Sequence, residues 1–232
     1  MLLMKFGEKE HLEQLKNGII HFSPLSTFVE DSSCFRGDPL EGKLLIDLSH
    51  PVLINGLDIT PYIEQATQSF VGFESILSFS ASMLNHANCH AYKNGLYSPN
   101  DDYIAEMEQF GSHVLIFSAN DFIIALNKTL KSHTCNFEYH PIFYCNKTDH
   151  TAISKYMKGR QIEKNPYDYC FIKDHTPYSK QNEWRTIIHD IDGEFPIDST
   201  GGFNLKTEFC TKMPIFETLE LKSLQVSDEF LR

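Results

Sequence analysis

The 232-residue sequence predicts an α+β fold in which strands dominate both ends of the chain. Runs rich in β-branched and aromatic residues lie near the N-terminus and in the last third, and helical spacing of apolar residues occurs between them. Helices and strands do not alternate regularly, which favours α+β over a parallel α/β sheet. Hydrophobic residues make up 41% of the chain, enough to bury a core.

The N-terminal quarter predicts two strands around a helix, followed by a loop. Gly18 ends the helix, and Pro24 limits the ladder of the second strand because proline lacks an N–H donor. The loop is polar and rich in turn residues. The predicted elements are a strand over 2–6, a helix over 8–17, a strand over 19–23 and an ordered loop over 30–42.

The middle of the chain predicts four helices and three strands. Thr60-Pro61 and Ser98-Pro99 are typical helix starts, and Ile123, Leu126 and Leu130 follow helical spacing. The predicted helices cover 61–69, 99–110, 120–130 and 148–158, and the predicted strands cover 76–82, 113–118 and 137–144. We therefore expect one domain over 1–232, with a helical insertion around 60–110.

The last third predicts short strands separated by loops. A strand over 169–173 and a loop over 174–180 precede a strand over 181–189. Glycines and prolines then separate short β-like runs, and residues 216–221 alternate between apolar and polar.

Charge and targeting signals predict a protein of the cytoplasm. The net charge of −11 opposes binding to bulk nucleic acid or to anionic membranes unless basic residues cluster locally. Such a cluster lies between Lys155 and Lys164, either as a solvated helix end or as a phosphate-contacting patch. The start of the chain lacks the pattern of a secretory signal, no long apolar run is present, and the six scattered cysteines predict reduced thiols.

The segment Gln181-Asn182-Glu183-Trp184-Arg185 is the most informative for function. Because side chains alternate along a strand, Gln181, Glu183 and Arg185 share one face, and Trp184 and Ile188 face the core. Gln181 and Glu183 would then be displayed to a ligand behind a polar loop. The alternative is an exposed strand on which Glu183 pairs with Arg185 or with a neighbouring lysine.

A Gln-x-Glu at the start of a strand, behind a loop, resembles the catalytic signature of ADP-ribosyltransferases. In that family a strand with a basic side chain, a helix and a second strand ending in Ser/Thr-rich sequence come first. Lys5, the helix over 8–17 and the strand ending at Ser23 follow the same order. The resemblance implies two small, mostly antiparallel sheets that form a cleft surrounded by helices.

The resemblance also implies roles for individual residues, with NAD as the substrate. Glu183 would stabilise the oxocarbenium-like state that forms when the nicotinamide–ribose bond breaks, and Gln181 would contact the acceptor. Ser23 would brace Glu183. Lys5 or His21 would hold the adenosine side of NAD, and Arg36 would meet the pyrophosphate or else salt-bridge Asp38 or Glu41 within its own loop.

The whole chain is also similar to a group of bacterial proteins, some of which look like toxins of phage-defence operons. The matching positions are Phe6-Gly7, residues 36–42, Lys173 and residues 181–185. This similarity implies a toxin-like effector in antiviral defence that modifies a macromolecule, either RNA or protein. It also implies an antitoxin or another regulatory protein as partner, and no membrane.

Other functions stay open at the level of sequence. Asp38, Glu41 and Glu183 could be the carboxylate ligands of a metal-dependent nuclease or phosphoesterase. The protein could instead be a non-enzymatic binding module. His86, Cys89 and His90 have the spacing of zinc ligands on a helix, with His133 or Cys135 as a fourth ligand, and Cys89 with a histidine could form a nucleophile pair.

Overall fold

The computed structural model describes residues 1–31, 33, 37–45, 48–64, 67–69, 76–159, 165–189 and 195–231. The chain divides into two compact units. Unit 1 comprises Met1–Leu25, Glu74–Ile142 and Ser179–Arg232, and unit 2 comprises Ser26–Phe73 and Phe143–Tyr178. Unit 2 is thus built from two segments that are remote in sequence. The sequence analysis treated the chain as one domain and did not separate these units.

Unit 1 contains an eight-stranded sheet in which every pairing is antiparallel. The main path runs in the order β11-β14-β7-β1-β10-β16, and β2 joins β7 and β15. These strands are β1 (Leu2–Gly7), β2 (Ile19–Pro24), β7 (Leu77–Leu84), β10 (His113–Ser118), β11 (Asn136–Pro141), β14 (Glu183–His189), β15 (Phe203–Lys206) and β16 (Ile215–Glu217).

The sheet forks at β7. Strand β14 covers one edge of β7 from Leu77 to Ser82. On the other edge, β2 pairs only with residues 77–78 and β1 only with residues 82–84. The middle of that edge therefore lies between β1 and β2, outside either ladder. Backbone groups there need other partners, because a buried carbonyl without a hydrogen bond is costly.

Three helices of unit 1 cover the sheet. Helices α1 (Lys9–Lys16) and α4 (Ala119–Leu130) contribute to the larger apolar core, with Leu12, Leu15 and Phe122 among its members. Helix α3 (Asp101–Glu108) belongs to a second apolar cluster with Met4 and Phe6 of β1. Since Met4 alternates with Leu3 of the larger core, the two clusters lie on opposite faces of β1.

Smaller elements complete unit 1. A three-stranded antiparallel sheet consists of β8 (Cys89–Ala91), β9 (Leu96–Pro99) and β17 (Val226–Ser227). Short 3-10 helices occur at Lys93–Gly95, Ser179–Gln181, Thr218–Ser223 and Asp228–Phe230.

In its described residues, unit 2 has short strands and three α-helices. Its strands form the pairs β3 (Lys43–Leu45) with β6 (Thr67–Ser69), β4 (Leu53–Ile54) with β5 (Leu57–Asp58), and β12 (Phe143–Cys145) with β13 (Ile172–Asp174). The last pair is parallel and the other two are antiparallel. The helices are α2 (Ser26–Glu30), α5 (His150–Gly159) and α6 (His175–Tyr178), with 3-10 helices at Thr60–Tyr62 and Pro166–Phe171.

The α+β class is confirmed, and several element predictions are wrong. One eight-stranded sheet with smaller ones replaces the two small sheets that the resemblance implied. The predicted helix over 61–69 is a 3-10 helix at Thr60–Tyr62 followed by β6, because Thr60-Pro61 starts a turn that the next residues do not continue. The predicted helical insertion around 60–110 is mainly extended, contains the central strand β7 and has α3 as its α-helix in the described part.

No helix in the described ranges combines the length and the apolar character needed to cross a membrane.

An aromatic cluster around Phe122 holds α4 to the sheet. Its ring centroid lies 4.9 Å from that of Phe79, 5.5 Å from those of Phe117 and Phe209, and 6.0 Å from that of Trp184. These rings come from α4, three different strands of the sheet and the segment after β15. Contacts of this kind add stabilisation beyond the apolar area that they bury.

We predict that Phe122→Ala lowers the free energy of unfolding by about 3–5 kcal/mol, because it removes this ring and leaves a cavity. Ile124→Ala is the matched control on the same helix, since Ile124 is 57% exposed. The free energy of unfolding of this control should fall by less than about 1 kcal/mol. Denaturant unfolding followed by circular dichroism measures both, and equal losses would contradict the packing described above.

Candidate functional site

The Gln-x-Glu segment does not lie on one continuous strand. Gln181 ends the 3-10 helix Ser179–Gln181, Asn182 has a left-handed backbone with φ of 49°, and β14 begins at Glu183. Gln181 and Glu183, expected to be displayed together to a ligand, are only 5% and 6% exposed. The alternation within the strand is confirmed, because Trp184 lies in the larger apolar core.

Glu183 is held by two side chains. The Nε of Arg185 donates to Oε1 of Glu183 at 2.8 Å, and the hydroxyl of Ser80 donates to the same oxygen at 2.5 Å. Arg185 is fully buried. A buried guanidinium is costly unless an opposite charge and hydrogen bonds compensate it. The pair foreseen in the alternative interpretation is therefore present, but inside the protein and not on an exposed strand.

A polar face surrounds this ion pair. Strand β7 reads Ser78-Phe79-Ser80-Ala81-Ser82, so its serines share one face and its apolar residues share the other. In the register of the sheet, Ser80 lies opposite Arg185, Ser82 opposite Glu183, and Ser78 opposite Ser23 of β2. We call this group the polar face; its members are Ser23, Ser78, Ser80, Ser82, Glu183 and Arg185.

The serine hydroxyls of the polar face differ in their hydrogen bonds. Ser82 donates to the carbonyl of Gln181 at 2.7 Å and hydrogen-bonds the Tyr103 hydroxyl at 2.6 Å, and burial raises the pKa of Tyr103. Within the described part of the chain, the buried hydroxyl of Ser78 has no hydrogen-bond partner. Buried polar groups normally have partners, so Ser78 is an exception on this face.

Sequence reasoning missed Ser78, Ser80 and Ser82. The signal was present, because three serines at every second position of an otherwise apolar run indicate a strand with one polar face. The residue predicted to brace Glu183 was Ser23. In the structure Ser80 makes that hydrogen bond, and Ser23 lies on the neighbouring strand opposite Ser78.

The predicted NAD contacts are not all on the same side of the sheet. The ammonium of Lys5 lies 4.9 Å from the ring centroid of Phe79 and donates to the Ser80 carbonyl at 2.6 Å. Phe79 belongs to the apolar face of β7, so Lys5 lies on the opposite face from Glu183. Its bond satisfies a carbonyl at the fork between β1 and β2.

The other two predicted NAD contacts are His21 and Arg36. His21 is exposed on β2, where its Nδ1 lies 2.9 Å from Oδ1 of Asn204. It shares a face of β2 with Ser23, two residues further on. Arg36 lies outside the described residues.

The loop that follows Arg36 is held by buried charges within unit 2. Lys147 donates to Oδ2 of Asp38 at 3.0 Å and also to the carbonyl of Leu40. Nζ of Lys173 lies 3.8 Å from Oε2 of Glu41. All four charged side chains are almost fully buried.

Tyr178 adds a further bond by donating its hydroxyl to the carbonyl of Gly37 at 2.5 Å. The loop is thus fixed by residues more than a hundred positions away. Its two carboxylates are matched by lysines, which is not the arrangement of the proposed Asp38, Glu41 and Glu183 metal site. Glu183 belongs to unit 1, where Arg185 holds it.

The predicted zinc and nucleophile sites do not form as expected. His86 lies in a turn, and Cys89 and His90 begin β8, so the three residues are not on a helix. His86 pairs with Asp228 at 3.0 Å, and His90 Nδ1 lies 3.1 Å from the Asn100 side chain. In the described ranges, no three His, Cys, Asp or Glu residues are grouped so that they could hold a metal ion.

Cys89 is not activated as a nucleophile. Burial raises the pKa of its thiol to about 11, so the thiol is protonated near neutral pH. The thiolate is the reactive form, and a raised pKa therefore lowers reactivity. Cys145 is similar, because burial raises its pKa to about 11 as well.

Comparisons with protein-family models, with curated proteins and with solved structures find no match to this chain.

We predict that the buried thiols of Cys89 and Cys145 react slowly with iodoacetamide in the folded protein at pH 8, whereas the exposed Cys210 reacts fast. Their rates should rise as the pH approaches 11, because the thiolate fraction grows towards the raised pKa. Peptide mass spectrometry after timed alkylation measures each site. Unfolding in guanidinium should remove the difference, and fast labelling of native Cys89 at pH 8 would contradict its burial.

We also predict that Lys147→Met destabilises unit 2 by about 3–5 kcal/mol, because Asp38 then keeps a buried charge without its partner. The double variant Asp38→Asn/Lys147→Met should lose less than the single variant, since no unpaired charge is left. Lys128→Met is the control: its exposed pair with Glu208 is worth about 0–1 kcal/mol. Denaturant unfolding compares the three, and a double variant that loses at least as much stability as Lys147→Met would contradict the coupling of the buried pair.

Proposed function

We propose that the protein is an NAD-dependent ADP-ribosyltransferase with Glu183 as its catalytic carboxylate. The observation that carries the proposal is the polar face of unit 1. There a carboxylate, a guanidinium and four serines lie together on the adjacent strands β2, β7 and β14. Burying such a set costs stability, and a buried charged cluster of this kind is a candidate for function.

The polar face offers the groups that cleavage of a nicotinamide–ribose bond requires. Positive charge develops on the ribose as the bond breaks, and a carboxylate fixed in position stabilises that charge without having to reorient. Ser80 and Arg185 fix the carboxylate of Glu183. The hydroxyl of Ser78 can donate to and accept from a ribose hydroxyl, as can that of Ser23.

In this proposal Lys5 and Gln181 have roles that differ from those that the resemblance implied. Lys5 lies on the far face of β7 and supports the fork of the sheet, so we no longer assign it to NAD. The buried Gln181 presents its carbonyl to Ser82, and we retain it beside the site as a positioning residue. The acceptor, RNA or protein, and a regulatory antitoxin partner are proposed from the resemblance alone.

Glu183→Gln should abolish transfer of label from radiolabelled NAD to macromolecules of a cell extract, because the amide carries no negative charge. Glu138→Gln on neighbouring β11 is the matched control: it makes the same charge change next to His189 and should retain transfer. The labelled product, separated into protein, RNA and DNA fractions, identifies the acceptor. Equal labelling by wild type and Glu183→Gln would contradict the proposal.

Stability must be measured alongside this assay. Glu183→Gln removes the carboxylate that pairs with the buried Arg185, so the melting temperature should fall. Ser80→Ala keeps the ion pair and removes one hydrogen bond to Glu183. It should reduce transfer while costing only about 1 kcal/mol of stability. Activity lost in step with stability across both variants would indicate a structural role for Glu183.

The ion pair itself favours a second candidate, a non-enzymatic binding module in which Glu183 only neutralises Arg185. NAD-dependent labelling by the wild type decides between the two, and the double variant Glu183→Gln/Arg185→Met, which removes both charges, measures how much of the stability loss comes from the unpaired guanidinium. A binding module should recover much of the stability of the single variant and should show no NAD-dependent labelling at any stage. An enzyme should recover stability and lose the transfer that the wild type performs.

A further inference from the structure

A wide, open depression of about 760 Å³ lies beside the exposed face of α5, and we call it the α5 groove. The described residues that line it are His150, Thr151, Ser154, Lys155, Lys158 and Gly159. These positions recur with the period of a helix and lie on the side of α5 away from its buried Ile153. The groove therefore presents two ammonium groups, two hydroxyls and an imidazole to solvent along roughly 12 Å of helix.

The charge of this groove contrasts with that of the whole chain. The protein has a net charge of −11, yet α5 contains no acidic residue from His150 to Gly159. Asp149 directly precedes α5, and its carboxylate accepts a hydrogen bond from the Ala152 N–H at the start of the helix. A local cationic groove on an acidic protein attracts an anion at short range without attracting polyanions elsewhere.

The lining also indicates which kind of anion fits. Lysine ammoniums and Ser/Thr hydroxyls are the side chains that typically contact phosphates and sugars of nucleic acids. None of the described lining residues is aromatic, and the Tyr156 ring of the same helix stacks on Phe143 with centroids 4.4 Å apart and planes at 5°. A ligand held here is recognised through its phosphates and not through its bases.

From these observations we infer that the α5 groove is a binding site for the sugar–phosphate backbone of a nucleic acid, without preference for base sequence. The inference is independent of the proposed transferase, because it rests only on residues of α5. It also goes further than the basic cluster of the sequence, of which Lys155 and Lys158 are described and Arg160 and Lys164 lie outside the described residues.

Fluorescence anisotropy with labelled RNA and DNA duplexes and single strands of unrelated sequence tests the inference. We expect binding at low salt, with log K falling as log[salt] rises, at a slope near −0.9 per neutralised phosphate for a duplex. The double variant Lys155→Ala/Lys158→Ala should weaken binding to every sequence alike and make the slope shallower by about 2, one unit for each lysine.

Lys128→Ala/Lys131→Ala is the matched control. Both of its lysines are exposed, they lie three positions apart around the end of α4, and the change in net charge is identical. Unchanged binding by this control, with loss in the α5 variant, supports the inference. Equal weakening in both variants overturns it, and so does a lack of binding by the wild type at a low salt concentration of about 20 mM.

Pyrophosphate and poly-glutamate serve as competitors in the same assay. Pyrophosphate would show a site for small anions, and overturn the inference, if it displaced the oligonucleotide and if the affinity for oligonucleotides did not increase with their length. Displacement by poly-glutamate at equal charge concentration would point to acidic polypeptides and overturn it too. Since NAD-dependent labelling plays no part here, failure of this test and failure of the proposed function are told apart.

Discussion

A charged pair buried in the middle of an antiparallel sheet is the constraint on which the candidate site depends. Arg185 is fully buried, and Glu183 is the carboxylate two residues before it on the same face of β14. A buried guanidinium requires a buried carboxylate to balance its charge, and both groups need hydrogen bonds to offset the loss of water. This requirement explains why β7 carries a serine opposite Arg185, where an apolar side chain would leave fewer donors.

Local pattern was sufficient to predict most elements of the fold. Period-two alternation placed Trp184 and Ile188 in the core and Glu183 and Arg185 on the other face. Helical spacing predicted α1, α3 and α4 to within two residues. Alternation failed at Gln181, because Asn182 adopts a left-handed backbone that interrupts the strand. A single residue with positive φ is not visible in a period-two pattern.

Long-range partners could not be predicted from the sequence. Asp38 and Lys147 are 109 positions apart, and Ser80 and Glu183 are 103 apart. Nothing in the local pattern around Lys147 distinguishes this buried lysine from an exposed one. Alternation in β1 shows that Lys5 shares a face with Leu3, but the face that Glu183 occupies depends on the pairing of β1 and β14 with β7. The NAD contact expected of Lys5 relied on that missing information.

The ion pair weakens a catalytic role for Glu183 without removing its physical basis. At an effective dielectric constant of about 20, a carboxylate attracts a unit positive charge about 4 Å away by about 4 kcal/mol. A guanidinium on the far side of the carboxylate, about 7 Å from that charge, repels it by about 2 kcal/mol. About 2 kcal/mol of attraction is left, roughly a thirtyfold rate effect. The net interaction with the ribose is attractive only if the ribose approaches Glu183 from the side opposite Arg185, so the direction of approach decides whether this pair can catalyse.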